Sequence, residues 1–341
     1  MQKGAGHIAP GGKPKMNGQN TGVSGKSLGR ILILLSLLML AAAMGIEFPS
    51  TPRFEWLKTA FIIFACSVCL MYVLTPLVIL ISRRAGAMDY PADRKIHTVP
   101  VPRWGGIAVY VSFVASILIS SSAYMPDIRT LLVSSTIVLV VGLLDDLVSI
   151  RAAVKLSGQL AACALLIAAG VHVTFLPDTW WGIAGEWLIT AIWVIGITNA
   201  VNFLDGMDGL VPGLVAGTSI IYFALSMLVG SPMLAYASAA IMGVSLCFLS
   251  YNMKPARIFL GDGGSNFLGF FMAAMSIHGT WARSDPLVSF FIPILILSVP
   301  IYDMVFTTVS RVATGRVRTV REWLEYTGRD HIHHRLESLG L

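Results

Sequence analysis

Long apolar runs are the feature that most constrains this chain. A membrane-spanning helix needs about 20 mostly apolar residues. Only 12% of the 341 residues are charged, against roughly a quarter in a soluble domain, so the chain lacks the polar surface that a water-soluble fold requires. The sequence predicts an all-α fold, a polytopic membrane helical bundle of about ten transmembrane helices. The predicted spans are about 31–48, 58–82, 104–123, 129–144, 156–173, 185–198, 210–229, 233–251, 264–281 and 287–309.

The distribution of Lys and Arg predicts how the bundle is oriented. The segments between the spans fall alternately on the two sides of the membrane, and one side holds 20 of the 24 basic residues. The other side holds only Arg53, Lys58, Arg129 and Arg283. Because basic residues collect on the cytoplasmic side, both termini are expected there. This asymmetry accounts for the net charge of +6 without a nucleic-acid partner.

Three regions follow from the same pattern. Residues 1–29 are rich in Gly and basic, which is typical of a disordered cytoplasmic tail. Residues 30–310 form the predicted transmembrane domain. Residues 311–341 form a His- and Arg-rich cytoplasmic segment.

Two adjacent carboxylates, Asp145 and Asp146, end the fourth span. Two such groups repel one another and resist desolvation at a membrane boundary. They are tolerated where they face a polar cavity, a cation or a proton acceptor, and the alternative is a solvated helix end. Lys155 follows nine residues after Asp146 and is a candidate phosphate contact.

A second polar cluster recurs every third residue, at Asn199, Asn202, Asp205 and Asp208. The spacing predicts that neighbouring members lie close together on one helix face. Four such groups at membrane depth are costly unless they bind a ligand, whereas helix capping explains only one of them.

Asp262 lies in a glycine-rich turn before another apolar span. Few ligands, all of them oxygen, suit magnesium held together with substrate phosphates. The free amides after Asp262 are also suited to an anion at a helix start.

The basic groups near the C-terminus admit two interpretations. His331, His333, His334 and Arg335 could bind phosphates or form a zinc site. No cysteine accompanies the histidines, and an Arg follows them, which favours phosphate. The basic residues of the loop 93–106 fit the positive-inside rule, and Lys95 within it is a candidate substrate-binding residue.

Five motifs together resemble one family, the polyprenyl-phosphate N-acetylhexosamine-1-phosphate transferases. They run in family order from residue 93 to 336, and the sequence letters are DRKIHTVPVPRWGG, GLLDD, NAVNFLDGMDGL, YNMKPARIFLGDGGS and DHIHHRL. The form of the last motif is similar to the bacterial branch that starts cell-envelope polysaccharides on undecaprenyl phosphate.

The resemblance implies an enzyme of the bacterial inner membrane with a cytoplasmic active site. Residues 30–310 are then the expected transmembrane catalytic domain, and the segment 311–341 is expected to complete the active site. It implies a UDP-N-acetylhexosamine donor, with UDP-N-acetylglucosamine expected, undecaprenyl phosphate as the acceptor, and UMP as the leaving product. A homodimer is left open.

The resemblance also assigns roles to residues. Asp262 and Asn202 would bind Mg²⁺, or Mn²⁺ in its place. Asp145 and Asp146 would deprotonate or position the lipid phosphate, and Asp262 is counted with them as catalytic. The expected substrate-binding residues are Lys95, Lys155, Asn199, Asp205, Asp208, Asn252, His331, His333, His334 and Arg335.

Two other classes of protein fit parts of the pattern. An ion-coupled secondary transporter would use Asp145, Asp205 and Asp208 for coupling, but transporters place such groups near the bilayer midplane. A membrane scaffold that binds phospho-sugars or lipids without catalysis is the second. For an enzyme, direct attack on the donor phosphate is expected, and a two-step route through an aspartyl intermediate stays open.

Overall fold

The structure is a computed structural model and describes residues 25–45, 52–91, 99–120, 126–279, 281, 286–317, 319 and 322. Within these residues the chain forms eleven helices and one ladder of two short strands. The helices are α1 (Gly25–Gly45), α2 (Pro52–Ala85), α3 (Gly105–Ser120), α4 (Pro126–Val148), α5 (Ala152–Ala168), α6 (Trp180–Leu204), α7 (Leu210–Val229), α8 (Pro232–Asn252), α9 (Gly261–His278), α10 (Pro286–Ile296) and α11 (Ser298–Ala313). The strands β1 (Met88–Asp89) and β2 (Val101–Pro102) pair antiparallel.

All ten predicted spans overlap helices, but the tenth is two helices, α10 and α11, separated at Leu297. Pro300 supplies a physical reason for the break. Proline has no N–H to donate to the carbonyl four residues earlier, and its ring collides with that carbonyl. The predicted tenth span, 287–309, is therefore not one continuous helix.

Among the described residues, five helices are long and apolar enough to cross a membrane. The qualifying segments are Glu55–Ala85, Ile128–Val148, Trp180–Leu204, Leu210–Val229 and Pro232–Asn252, with shorter apolar helices at Gly105–Ile119 and Ala152–Ala168. Large apolar side chains such as Leu34, Leu188 and Leu228 are more than 60% exposed, as expected of surfaces that face lipid rather than water. The chain is a multi-pass membrane protein built from helices.

Helix α1 begins earlier than predicted. Its first turn starts at Gly25, so the predicted disordered tail 1–29 is wrong for residues 25–29. Residues 1–24 lie outside the described residues.

Two helices form the centre of the bundle. Helix α9 is buried without interruption from Gly263 to Ser276, and most residues of α8 are buried as well. A helix that is apolar all round is stable only where neighbours cover every face. Here α2 and α7 pack on α8, α4 and α6 pack on α9, and α3 contacts both. This arrangement surrounds the start of α9 with the ends of other helices.

Glycines allow the close approach of α3 and α4 to the start of α9. A Cβ atom at Gly142 would lie 2.6 Å from the backbone oxygen of Asp262, and one at Gly106 would overlap the backbone of Gly264. Real side chains do not tolerate such distances, so only glycine fits at both positions. The close packing fixes the backbone from which the Asp262 side chain projects.

Candidate active site

The polar side chains predicted from separate motifs meet where four helices begin or end. Helix α4 ends just after Asp145 and Asp146, α5 begins just before Lys155, α6 ends just after Asn202, and α9 begins at the residue before Asp262. Helices α4 and α6 both pack against α9, and α5 packs against α4 and α6. The helix ends therefore gather at one end of the bundle.

Lys155 lies between two carboxylates from different helices. Its Nζ atom is 2.8 Å from Oδ2 of Asp262, and it forms a second ion pair with Oδ2 of Asp145. The other oxygen of Asp145 accepts the backbone N–H of Ile150 at 2.9 Å. Two carboxylates thus converge on one ammonium group, which marks a place where the protein stabilises positive charge.

Asn202 contacts the same carboxylate from α6. Its Nδ2 atom donates to Oδ1 of Asp262 at 3.2 Å and to Oγ of Ser265 at 2.8 Å. In this orientation the amide nitrogen faces the carboxylate. The two ends of a carboxamide have nearly the same shape, so a flip of the amide presents Oδ1 in its place. Metal binding by Asn202 requires that flip.

The donor set at Asp262 fits magnesium. Within the part of the chain that the structure describes, no three or more His, Cys, Asp or Glu side chains are grouped to hold a metal ion by themselves. Mg²⁺ is usually held by one or two carboxylates while substrate phosphates and water complete its octahedron. Asp262, joined by Asp145 or by the flipped amide of Asn202, provides that number of oxygen ligands.

Asp146 has surroundings quite different from those of Asp145. Its side chain is fully buried, and Oδ1 lies 2.8 Å from Nη2 of Arg103. The carboxylate also accepts the backbone N–H groups of Asp262 at 3.1 Å and Gly263 at 3.2 Å. Asp145 and Asp146, which were predicted to share one role, therefore have different partners.

Three carboxamides from three helices form a layer next to the carboxylates. Gln159 of α5 donates to Asn266 of α9 at 3.1 Å and accepts from Asn199 of α6 at 2.9 Å. Asn266 in turn donates to the backbone oxygen of Asp262 at 2.7 Å. Asn199, predicted to bind substrate and only partly buried, therefore lies in an amide network with two buried partners.

Sequence reasoning missed Gln159 and Asn266, along with Arg103. Gln159 follows Lys155 by four residues, and Asn266 follows Asp262 by four. This is the spacing of neighbours on a helix face. A search of the sequence one helical turn after Lys155 and Asp262 would have found both amides.

The predicted helix face from Asn199 to Asp208 is only half correct. Asn199 and Asn202 lie on α6, but α6 ends at Leu204, and Asp205 is the residue that follows the helix. Asp208 lies in the next turn, where its Oδ2 accepts the backbone N–H of Ala256 at 2.9 Å. The four groups do not share one helix face, because α6 ends at Leu204 and the chain turns over the segment that contains Gly206 and Gly209.

Asp205 is a carboxylate whose charged form is disfavoured by its surroundings. Burial raises the pKa of Asp205 well above its usual range, and the negative charges of Asp262, Asp146 and Asp208 add to this effect. Such a group favours a neighbouring cation or a proton.

Asn252 joins two loops and is buried. Its Oδ1 accepts the backbone N–H of Gly209 at 2.8 Å, and its Nδ2 donates to the backbone oxygen of Ile258 at 2.9 Å. Both ends of the amide are thus occupied within the protein. Predicted as a substrate contact, Asn252 here holds the loop after α6 to the loop before α9.

Five predicted substrate-binding residues lie outside the described residues. They are Lys95, His331, His333, His334 and Arg335. Their assignments stay predictions.

Comparison with known proteins agrees with these motifs. A model of the glycosyl transferase family 4 matches residues 128–280, which include all the described site residues except Arg103. A Bacillus subtilis strain 168 protein named "probable undecaprenyl-phosphate N-acetylglucosaminyl 1-phosphate transferase" is 35% identical over 284 residues, which are 82% of this chain and 77% of that protein.

Two further relatives extend the likeness. A decaprenyl-phosphate N-acetylglucosaminephosphotransferase of Mycobacterium tuberculosis H37Rv is 30% identical over 302 residues, 79% of this chain and 73% of that protein. An undecaprenyl-phosphate alpha-N-acetylglucosaminyl 1-phosphate transferase of Escherichia coli K12 is 26% identical over 275 residues, 76% and 71% of the two chains. From the identity and coverage of the first two relatives, the chain belongs to the glycosyl transferase 4 family of polyprenyl-phosphate N-acetylhexosamine-1-phosphate transferases.

Proposed function

We propose that this enzyme transfers N-acetylglucosamine-1-phosphate from UDP-N-acetylglucosamine to undecaprenyl phosphate and releases UMP. The relatives at 35% and 30% identity are named for transfer to undecaprenyl or decaprenyl phosphate. The observation that supports the proposal most strongly is the placement of Lys155 between Asp145 and Asp262. A cation held by carboxylates at a helix-bundle end suits a reaction between two phosphate groups.

The reaction brings several negative charges together. The acceptor is a phosphate monoester and the donor is a diphosphate, so they repel one another until cations offset the charge. Positioning and electrostatic stabilisation supply most of the catalysis in phosphoryl transfer. Lys155 can turn from its carboxylate partners to a phosphate oxygen, and Asp145 and Asp262 hold it nearby until substrate arrives.

Magnesium has an expected place in this arrangement. Asp262 and the flipped amide of Asn202 would hold it, and when bound it would neutralise charge on the donor diphosphate. A bound divalent cation would also favour the charged form of Asp205, whose pKa burial and the neighbouring carboxylates raise.

The bond changes follow from the substrates. An oxygen of the lipid phosphate attacks the β-phosphorus of the donor, and a new P–O bond forms. The bond between that phosphorus and the oxygen bridging to the α-phosphate breaks, and its electron pair leaves on UMP. The proton of the lipid phosphate is assigned in this proposal to Asp145, which forms an ion pair with Lys155.

We also propose that ten helical spans cross the bacterial inner membrane, with both termini and the active site on the cytoplasmic side. The concentration of basic residues on one set of loops supports this orientation. Single cysteines introduced at Ser149 and Trp180, on opposite sides in this topology, test it by labelling in intact cells. Only the Trp180 position should react with a membrane-impermeant maleimide.

The transporter interpretation is weaker because of where the carboxylates lie. Asp145, Asp205 and Asp262 stand at helix ends, whereas coupling residues of transporters lie near the bilayer midplane. The family membership also favours transfer over transport.

The proposed activity is tested with the purified full-length protein in detergent. UMP release is measured from several UDP-sugars, with and without undecaprenyl phosphate. The proposal expects UMP from UDP-N-acetylglucosamine only when the lipid is present, together with a lipid product that contains the sugar and two phosphates. UMP release that does not depend on the lipid, or a lipid product carrying one phosphate, would refute it.

A further inference from the structure

Most acceptor sites of the Asp146 carboxylate are occupied by donors from its own protein. Arg103 and the backbone amide of Asp262 share Oδ1, and the amide of Gly263 donates to Oδ2. An ionised carboxylate has about four acceptor sites, so three are already used. Its fully buried side chain leaves Asp146 poorly placed to accept a proton from substrate.

Asp146 acts as a cap on α9 supplied by another helix. Asp262 and Gly263 lie in the first turn of α9, where backbone N–H groups have no partner within the helix. A carboxylate at this end satisfies two of them and also interacts favourably with the helix dipole. Asp146 thereby fixes the backbone of Asp262, while the Asp262 side chain points away to Lys155 and Asn202.

Arg103 is held in place by the backbone on either side of it. The N–H of Phe259 donates to the oxygen of Pro102 at 2.8 Å, and the N–H of Gly105 donates back to Phe259 at 2.9 Å. Gly106 donates to Leu260 at 2.8 Å. Backbone hydrogen bonds thus join the segment 102–106 to the two residues before α9. From this segment the Arg103 side chain forms its ion pair with Asp146.

A buried carboxylate with no counter-ion is strongly destabilising. The Arg103 guanidinium supplies that charge, and its side chain is only 31% exposed. Neither the positive-inside rule nor a substrate contact is needed to explain an arginine at this position.

We propose that Arg103 and Asp146 are positioning residues of the transfer reaction. The Arg103 guanidinium pairs with the Asp146 carboxylate at the first turn of α9, and Asp146 holds Asp262 in the direction that the reaction needs. Asp145 is the one of the two adjacent aspartates that faces the reacting groups. The inference rests on the proposed function for its kinetic consequence, but the contact between Asp146 and α9 is testable without it.

The kinetic test is a double-mutant cycle on the full-length enzyme. Asp146→Asn keeps the size of the side chain and removes its charge, and we expect kcat to fall by about 100-fold with the donor KM changed by less than about threefold. Arg103→Met lowers kcat by about tenfold, and Arg103→Lys recovers part of that loss. Because Arg103 acts through Asp146, the double variant should have a kcat within about twofold of that of Asp146→Asn alone. Losses that multiply in the double variant would overturn the proposal.

Hydrogen exchange gives a readout that does not depend on activity. The backbone amides of Asp262 and Gly263 are protected by Asp146, so peptides covering 258–264 should exchange faster in Asp146→Asn and in Arg103→Met than in the wild type. Arg84→Met, which removes an exposed arginine at the end of α2, is the matched control and should leave both exchange and kcat unchanged. Unchanged exchange in Asp146→Asn would overturn the cap. A wild-type enzyme without lipid-dependent UMP release would instead refute the proposed function, and the exchange result would still decide the cap.

Discussion

Replacing Lys155 with methionine tests whether Asp145 and Asp262 form a site for a cation. The ammonium is 2.8 Å from Asp262 and forms a second ion pair with Asp145. Removing one partner of a buried ion pair costs about 3–5 kcal/mol. Because the Lys155 side chain is 27% exposed, water screens the interaction, and we expect the lower end, about 3 kcal/mol. At about 2 °C for each kcal/mol in a chain of this length, Tm falls by about 6 °C.

Magnesium should recover much of this loss. In the wild type the Lys155 ammonium occupies the space between the two carboxylates and repels a divalent cation. The methionine variant lacks that repulsion, so Mg²⁺ should stabilise the variant more than the wild type. A gain of about 1.4 kcal/mol in binding lowers the magnesium concentration for half-maximal stabilisation by about tenfold. Catalysis should nevertheless be lost, because the phosphate contact is gone.

Thermal unfolding followed by tryptophan fluorescence measures both effects. The eight tryptophans of the chain provide the signal, and unfolding is recorded in EDTA and across a magnesium titration. Arg151→Met, an exposed residue just before α5, removes a positive charge from the same helix end without touching either carboxylate. It should show the wild-type response. A Lys155→Met protein that unfolds at the wild-type temperature in EDTA, or that gains no more from magnesium than the wild type, would refute the cation site.

Three further changes test other parts of the structure. Asp205→Asn should raise Tm in EDTA, and the gain in Tm should grow as pH rises above about 4. The reason is that the pKa of Asp205 is raised in the folded protein, so the carboxylate ionises at a lower pH in the unfolded chain than in the folded one. A gain in Tm that shrinks with rising pH would contradict this assignment. Asn266→Leu should lower Tm by about 2–6 °C, from the 1–3 kcal/mol cost of leaving buried amide partners unsatisfied, and an unchanged Tm would remove the amide layer from the account. Gly106→Ala should disrupt the packing of α3 on Gly264 and reduce the yield of folded protein, measured by size-exclusion chromatography in detergent. Gly213→Ala is the control and should leave the yield unchanged, because a Cβ atom at Gly213 meets nothing within 4 Å.

The helices were predictable because each is a local pattern. Apolar runs fix where a membrane helix lies, and all ten predicted spans overlap helices. The errors lie at helix ends. Helix α6 extends to Leu204, well past the predicted end at residue 198, because Asn199 and Asn202 find polar partners in neighbouring helices and do not need water. The break at Leu297 was missed because proline in an apolar run was read as part of a span.

The site was predictable as a set of residues but not as a set of contacts. Lys155 and Asp262 are 107 residues apart in sequence and 2.8 Å apart in space, and no spacing rule connects them. The different partners of Asp145 and Asp146 follow from which side of α4 each faces, and the letters DD do not reveal this. Arg103 was explained only by the positive-inside rule, because its partner Asp146 lies on α4 and is distant in sequence.

The most direct test of the account is magnesium-dependent formation of the lipid-linked sugar by wild type and Asp262→Asn, compared at equal amounts of folded protein. Asp262 lies where α4, α5, α6 and α9 meet, contacts Lys155 and Asn202, and is proposed to bind the metal ion. We expect that Asp262→Asn folds but forms product at least about 1,000-fold more slowly at any magnesium concentration, because the Asp262 carboxylate serves both positioning and charge stabilisation. Product formation by Asp262→Asn within about tenfold of the wild type would contradict this expectation.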